Sequence, residues 1–224
     1  RTLKPGKYSD NTWMSFGLAR LIRIYTEQGQ IDKGLDTARH ALAELKPTTA
    51  IYHARAELYE KTNQIEQAIS DLKSAIRLDP KSVLATVRLA DFYHELARND
   101  EALEAYNRAV ELDPTDSYAY TSRAQFQETL RNFPQARLDF EKAVELEPDD
   151  AFTQNSYGSL LFELGEIKNA IKHHTLAIQN DPMYHYAYTC RGRAYQTQKK
   201  QSLAVSDFNK ALSLKPDLPL VLLW

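Results

Sequence analysis

Small and apolar residues recur along this chain in two short patterns that alternate. The first pattern occupies positions 4, 8 and 11 of a repeating unit, and the second occupies positions 20, 24 and 27. Spacings of three and four residues place side chains on one face of an α-helix. Each unit is therefore predicted to hold two amphipathic helices, a first helix A and a second helix B, and the predicted fold class is all-α.

The repeating unit is 34 residues long. A first proline, Pro47, ends one unit, and further prolines recur every 34 residues from Pro80 to Pro216. Counting from Ser15 gives six repeats, over residues 15–48, 49–82, 83–116, 117–150, 151–184 and 185–218. Position 27 is alanine in all six, and positions 8 and 20 are nearly always small. Small side chains at these places allow the two helix backbones of a repeat to approach closely.

A turn between helix A and helix B is predicted near position 15, where Gly29, Asn63 and Gly165 occur. Glycine and asparagine tolerate the left-handed backbone conformation that commonly ends a helix. The proline near position 32 ends helix B, because a residue before proline is disfavoured in helical conformation.

The two ends of the chain are less regular than the repeats. Residues 1–14 are predicted to form an extended lead-in, with Ser9, Asp10 or Asn11 as a cap of the first helix. Residues 217–224 match the start of a further A helix, which is either truncated or a terminal cap. Since this segment is apolar, it suggests a surface that packs on another chain.

This pattern resembles the tetratricopeptide repeat family, and the resemblance covers about residues 15–216. The family fold implies antiparallel helix pairs that stack into a right-handed superhelical solenoid. It also implies that the A helices line a concave groove that receives a partner polypeptide. On this basis the chain is expected to be a protein-interaction module or scaffold.

Arginine at position 7 and aspartate at position 23 occur together or not at all. Repeats 2, 4 and 6 contain both, and repeats 1, 3 and 5 contain neither. Joint presence and joint absence predict an ion pair between helix A and helix B, with the bidentate geometry that suits arginine. The predicted pairs are Arg55 with Asp71, Arg123 with Asp139, and Arg191 with Asp207.

Candidate partner contacts lie on the flank of helix A that points away from helix B, at positions 2, 5, 6 and 9. In repeats 4 to 6 this stripe is aromatic and neutral-polar, so it suits hydrogen bonds to a peptide backbone. In repeats 1 to 3 it is mixed in charge. The candidate residues are Arg20, Arg23, Arg88, Tyr118, Thr121, Ser122, Gln125, Phe152, Asn155, Ser156, Ser159, Tyr186, Thr189 and Arg193. The alternative interpretation of this stripe is a solvated inner surface, with aromatic rings packed between neighbouring A helices.

Composition narrows the class of partner. The formal net charge is −2, so there is no overall basic surplus to bind nucleic acid. No apolar run reaches about 18 residues, so no membrane insertion is predicted. The single cysteine, Cys190, excludes an internal disulfide framework and fits a cytoplasmic location.

Catalytic motifs are absent from the sequence. None of the six histidines has a metal-ligand spacing with a second histidine, cysteine or paired carboxylate. There is no glycine-rich phosphate loop and no nucleophile elbow. We therefore predict that the chain is not an enzyme and needs no cofactor or metal. Two alternatives stay open: a self-assembling homo-oligomeric scaffold joined through the apolar C-terminal segment, and the regulatory arm of a larger enzyme.

Overall fold

The computed structural model describes residues 10–217, and in this range the chain folds into twelve consecutive α-helices with no strand. The all-α prediction is confirmed. The helices are α1 (Asp10–Glu27), α2 (Ile31–Glu44), α3 (Thr49–Lys61), α4 (Ile65–Leu78), α5 (Val83–Glu95), α6 (Asn99–Leu112), α7 (Ser117–Thr129), α8 (Phe133–Leu146), α9 (Ala151–Glu163), α10 (Ile167–Asn180), α11 (His185–Thr197) and α12 (Gln201–Leu214). Odd-numbered helices are the A helices of the six repeats, and even-numbered helices are the B helices.

The start of the first helix corrects one expectation. We predicted an extended lead-in through residue 14, but α1 begins at Asp10. In the later repeats a proline-containing turn just before position 1 fixes where helix A can begin. In the first repeat the preceding proline is Pro5, ten residues before Ser15, so the helix extends further towards the N-terminus. Residues 1–9 and 218–224, including the apolar segment linked to self-association, lie outside the described residues.

Position 15 forms the predicted turn in every repeat. Gly29, Asn63 and Gly165 have φ values of 69°, 57° and 77°, and the non-glycine residues at the same place in the other repeats also have positive φ. The N–H at position 16 donates to the carbonyl at position 11, as Gln30 does to Tyr25 at 2.8 Å. This bond closes each A helix in a left-handed C-terminal motif.

Side chains cap three of the A helices at their N-termini. Ser82, Asp116 and Asp150 accept hydrogen bonds from the backbone N–H groups three residues later, at 3.2, 2.9 and 2.7 Å. These caps begin α5, α7 and α9. Each satisfies a backbone donor that has no partner within the helix.

In repeats 2 to 6 the core combines a small residue at position 8 with a larger one at position 24. A Cβ added to Gly192 would lie 2.5 Å from Cε1 of Phe208, so the absent side chain makes room for that ring. In the first repeat the sizes are exchanged. Ile22 stands at position 8 and Ala38 at position 24, and both belong to one buried cluster. The total volume between the helices is thus kept while the residues change.

All three predicted ion pairs between helix A and helix B are confirmed. Each arginine uses Nε and Nη2 to donate two hydrogen bonds to one carboxylate, at distances between 2.6 and 2.8 Å. The aspartate side chains are only 4 to 8% exposed. These charges are therefore part of the packing of repeats 2, 4 and 6.

The chain divides into two compact units, one ending at Pro114 and the other beginning at Thr115. Three repeats belong to each unit. Within a unit each hairpin packs against the next, as α4 does against α5 and α8 against α9. The site description below treats each unit by itself.

Candidate functional site

In the C-terminal unit the A helices α7, α9 and α11 lie side by side, and position 2 of each carries an exposed aromatic ring. Tyr118, Phe152 and Tyr186 are 44, 47 and 45% exposed. We call the surface formed by positions 2, 6 and 9 of these three helices the A-helix face. Its aromatic residues leave nearly half of their surface exposed to solvent, and exposed apolar surface of this kind is typical of an interaction surface.

Position 5 is buried, which corrects three of the candidate contacts. Thr121 is 1% exposed and shares a hydrogen bond of 2.9 Å with Thr153 of the next A helix. Asn155 is 7% exposed, and its Oδ1 lies 2.9 Å from Nδ1 of the buried His174. Thr189 is also buried and donates to the carbonyl of His185. In these three helices position 5 packs into the protein instead of facing solvent, so these side chains stabilise the stack.

The buried histidine beside Asn155 is neutral. Burial, and to a lesser degree the nearby charges of His173 and Arg191, lower the pKa of His174 to about 3. The Asn155–His174 contact is consequently an uncharged hydrogen bond at any physiological pH. It fits the absence of a side chain at Gly158, whose added Cβ would lie 2.8 Å from the imidazole.

Positions 6 and 9 form the polar floor of the A-helix face. Ser122 is 8% exposed, whereas Gln125, Ser156 and Ser159 are half-buried. Gln125 donates to Ser156 Oγ at 3.3 Å, which links α7 to α9. These groups retain donors and acceptors that a polypeptide backbone can use.

Arg193 is the exposed cation of this floor. Its guanidinium carbon lies 5.6 Å from the centre of the Phe162 ring, within the range of a cation–π contact. The arginine therefore already lies against one apolar ring, and it lines a pocket on this face together with Phe162.

Two adjoining pockets open on the A-helix face, with volumes of about 320 and 340 Å³. Glu128, Ser159 and Cys190 line both of them, and Glu163 lines the first. Burial, and then the charge of Glu163, raise the pKa of Glu128 to about 7. Among residues 10–217 the one ion pair made by either carboxylate joins Glu163 to Arg131 at 3.5 Å.

Sequence reasoning missed these two glutamates. Glu128 occupies position 12 of its repeat and Glu163 occupies position 13. Both positions continue the same helical face by three or four residues beyond position 9. Extending the predicted stripe by one turn would have found them.

The N-terminal unit has a different A-helix surface, in which the predicted arginines are paired within the protein. Arg23 donates two hydrogen bonds to Glu57, at 2.8 and 3.2 Å. Arg88 donates to the same glutamate at 3.2 Å and to Glu60 at 2.5 Å. These bonds join α1, α3 and α5 to one another. The network therefore neutralises much of the charge of Arg23 and Arg88, which were predicted to contact a partner.

Arg20 is an exposed arginine on α1. It lines a pocket of about 610 Å³ together with Phe16 and His53. Burial, and then the charge of Arg88, lower the pKa of His53. This pocket is thus bordered by an exposed cation and an exposed ring.

Residues suited to metal binding do not come together in the described range. No group of three His, Cys, Asp or Glu side chains among residues 10–217 is arranged to hold a metal ion. Burial raises the pKa of the Cys190 thiol, which opposes formation of a nucleophilic thiolate. In the same part of the chain no helix is long and apolar enough to cross a membrane.

Family models described as tetratricopeptide repeat match residues 59–126, 117–150 and 185–218, more than half of the chain. No curated protein sequence matches it.

Three solved structures illustrate the similarity of fold. The structure titled as PilF of Pseudomonas aeruginosa has a TM-score of 0.74 and 17% identity, over 94% of this chain and 96% of its own. A crystal structure of MamA has a TM-score of 0.61 and 24% identity, over 72% and 94%. YrrB, titled as a TPR protein with an unusual peptide-binding site, has a TM-score of 0.57 and 21% identity, over 83% and 95%. At these identities the likeness shows the fold.

Proposed function

This chain belongs to the tetratricopeptide repeat family, and we propose that it binds a segment of a partner polypeptide on the A-helix face of repeats 4 to 6. The observation that carries the proposal is the exposed row of Tyr118, Phe152 and Tyr186 beside two pockets that share an ionisable carboxylate, Glu128. The proposed role is recognition and scaffolding, without catalysis.

The aromatic row supplies apolar contact area. Each ring is close to half exposed, and a partner side chain that covers it removes apolar surface from water. At about 25 cal/mol per Å², covering a few tens of Å² on each ring contributes on the order of 1 kcal/mol per contact. Because the rings stand on packed helices, little conformational entropy is lost when they are covered.

The polar floor favours an extended segment. Gln125, Ser156 and Ser159 offer both donors and acceptors, which match the alternating N–H and C=O groups of a peptide backbone. The hydrogen bond between Gln125 and Ser156 is long, at 3.3 Å. Exchanging it for a hydrogen bond to the partner therefore costs little.

The carboxylates favour a basic side chain in the partner. Glu128 is partly desolvated and lies near the like charge of Glu163. Glu163 already pairs with Arg131 at 3.5 Å, so a lysine or arginine side chain placed in the first pocket would pair with Glu128. Hydrogen bonds between charged groups contribute about 1.5–3 kcal/mol. The preferred partner is therefore a segment that combines apolar residues with at least one basic residue.

The test is a titration of peptides selected by display on the immobilised protein, measured by calorimetry. We expect Phe152→Ala and Glu128→Gln each to weaken binding about tenfold, the equivalent of ~1.4 kcal/mol. We expect the glutamate substitution also to reduce the salt dependence of the dissociation constant. Leu138→Ala is the matched control, because Leu138 is 59% exposed on α8, outside the A-helix face.

The proposal fails if the selected peptides bind both variants as tightly as the unmodified protein. It also fails if Leu138→Ala weakens binding more than either of them. Circular dichroism of every variant verifies that the helices are retained.

A further inference from the structure

Repeats 2, 4 and 6 place the same three residue types, tyrosine, arginine and aspartate, between helix A and helix B. In repeat 2 the guanidinium of Arg55 lies between the rings of Tyr52 and Tyr59, at 6.0 and 5.7 Å from their centres, and pairs with Asp71. In repeat 6 the corresponding arginine lies 5.8 and 5.7 Å from two tyrosine rings. This arrangement uses a tyrosine at position 4, arginine at position 7 and aspartate at position 23.

Repeat 3 lacks all three of these side chains. Thr86 stands at position 4, Leu89 at position 7 and Ala105 at position 23. The three residues are buried, yet together with Tyr93 they line a pocket of about 270 Å³. The pocket is located where the other repeats place a phenol ring, a guanidinium and a carboxylate.

The empty space in repeat 3 does not follow from loss of the ion pair alone. Repeat 5 also lacks the pair, but there Tyr157 and His173 occupy positions 7 and 23. Their ring centres are 4.6 Å apart, and the Tyr157 hydroxyl donates to Glu141 at 3.0 Å. Repeat 5 therefore replaces the ion pair with rings, whereas repeat 3 replaces it with smaller groups.

The lining of the pocket determines what it can hold. Its walls are apolar, with Ile76 and Leu112 completing the surface formed by Leu89 and Ala105. Its charged residues, Glu101, Glu104 and Arg108, all belong to α6. Ala105 provides no carboxylate in place of the aspartate that holds an arginine in repeats 2, 4 and 6. Of the two carboxylates in the lining, Glu101 already pairs with Arg98 and Glu104 shares the pocket with the cation of Arg108.

Tyr93 gives a second reason against a cationic occupant. Its ring already has two cations near it, Arg98 at 4.6 Å and Lys73 at 5.5 Å from the centre. A third cation would meet their repulsion and gain little from the ring. The group that fits is neutral, apolar and about the size of the missing phenol.

We propose that this pocket, bounded by Thr86, Leu89, Tyr93 and Ala105, binds an aromatic side chain of a partner polypeptide. The ring takes the place that a tyrosine of the chain itself occupies at position 4 of repeats 2, 4 and 6. The site belongs to the N-terminal unit and is independent of the A-helix face of repeats 4 to 6, so either proposal can fail without the other.

The first test uses para-cresol, which reproduces a tyrosine side chain, and the methyl NMR signals of Ile76 and Leu112, which line the pocket and are kept in every variant. We expect saturable shifts of these signals in the full chain. A filled variant carrying Thr86→Tyr, Leu89→Arg and Ala105→Asp restores the residue set of repeat 2. It should weaken the binding of para-cresol at least about tenfold, with the helical circular dichroism unchanged.

A reciprocal variant keeps the test decisive if the filled variant does not fold. Tyr52→Thr, Arg55→Leu and Asp71→Ala give repeat 2 the residue set of repeat 3. This opened variant should bind a second molecule of para-cresol, detected at methyl signals of α3 and α4. The proposal is overturned if para-cresol shifts neither the Ile76 nor the Leu112 signal up to its solubility limit, or shifts both equally in the filled variant.

A second measurement identifies the source of the ring. Peptides selected by display on the protein and counter-selected on the filled variant should be enriched in phenylalanine or tyrosine. Alanine at that position of the peptide should weaken binding at least about tenfold. Selected peptides without an aromatic residue, or a failure to obtain any peptide that distinguishes the two proteins, would refute a polypeptide partner at this site.

Discussion

The contribution of the ion pair of repeat 2 to stability can be measured by replacing first one of its two residues and then both. Arg55 reaches Asp71 with hydrogen bonds of 2.7 and 2.6 Å, and the side chains are 21 and 4% exposed. Asp71→Ala leaves the guanidinium among aromatic rings without its carboxylate. Breaking a buried pair by removing one partner typically costs 3–5 kcal/mol. Because a fifth of the arginine side chain still contacts water, we expect a loss of about 3 kcal/mol.

Adding Arg55→Leu to the same protein gives repeat 2 the apolar residues that repeat 3 has at these positions. Both charges are then absent, and replacing a buried ion pair by apolar groups is often close to neutral. We therefore expect the double variant to recover at least half of the stability that Asp71→Ala loses. The reasoning depends on the cost of a lone buried charge and not on the strength of the pair itself.

The assay is urea unfolding followed by circular dichroism, together with hydrogen exchange of the amides in α3 and α4. Exchange is needed because an array of repeats does not have to unfold as a single unit. A double variant as unstable as Asp71→Ala would refute the argument. So would a single variant that loses less than about 1 kcal/mol, which would mean that water solvates the arginine freely.

Three further predictions concern the backbone, a carboxylate and the core. Ala97 and Gly165 both have positive φ, which glycine alone adopts without strain. In urea unfolding, Ala97→Gly should therefore stabilise the protein by about 0.5–1 kcal/mol, and Gly165→Ala should destabilise it by about 1 kcal/mol. Glu128→Gln should leave stability unchanged at pH 4 but raise it by roughly 1 kcal/mol at pH 8, after allowance for partial exposure. The raised pKa of Glu128 means that stability falls as pH rises from the normal glutamate range through 7. Gly192→Ala should cost about 1–3 kcal/mol of unfolding free energy through the clash with Phe208, and Phe208→Leu in the same protein should recover most of it.

The repeated sequence predicted the helices and their internal pairing because the same local rules apply six times. The positive φ at Asn63 follows from the turn residue itself, and the Arg123–Asp139 pair follows from residues that appear and disappear together. Such features depend on contacts within one repeat. Their evidence therefore accumulates each time the repeat recurs.

Features that depend on the neighbouring repeat were harder to predict. A helical wheel assigns Thr121 to the outer flank of its own helix, but it does not show that Thr153 of the next A helix lies 2.9 Å away. The early start of α1 at Asp10 has another cause, because the preceding proline, Pro5, stands ten residues before Ser15 instead of just before it. Burial at an interface between repeats requires the angle at which they stack, and the pattern of one repeat does not contain that angle.

The two units differ in how their charged A-helix residues are satisfied, and this difference favours the C-terminal unit as the partner site. In the N-terminal unit Arg23 and Arg88 both bond to Glu57, so a partner must break those bonds before it gains its own. In the C-terminal unit Glu128 is held near the like charge of Glu163, and its raised pKa records an unfavourable environment for the ionised form. A basic partner residue would relieve that cost instead of adding one. Partner affinity should consequently be more sensitive to Glu128→Gln than to the loss of either N-terminal arginine.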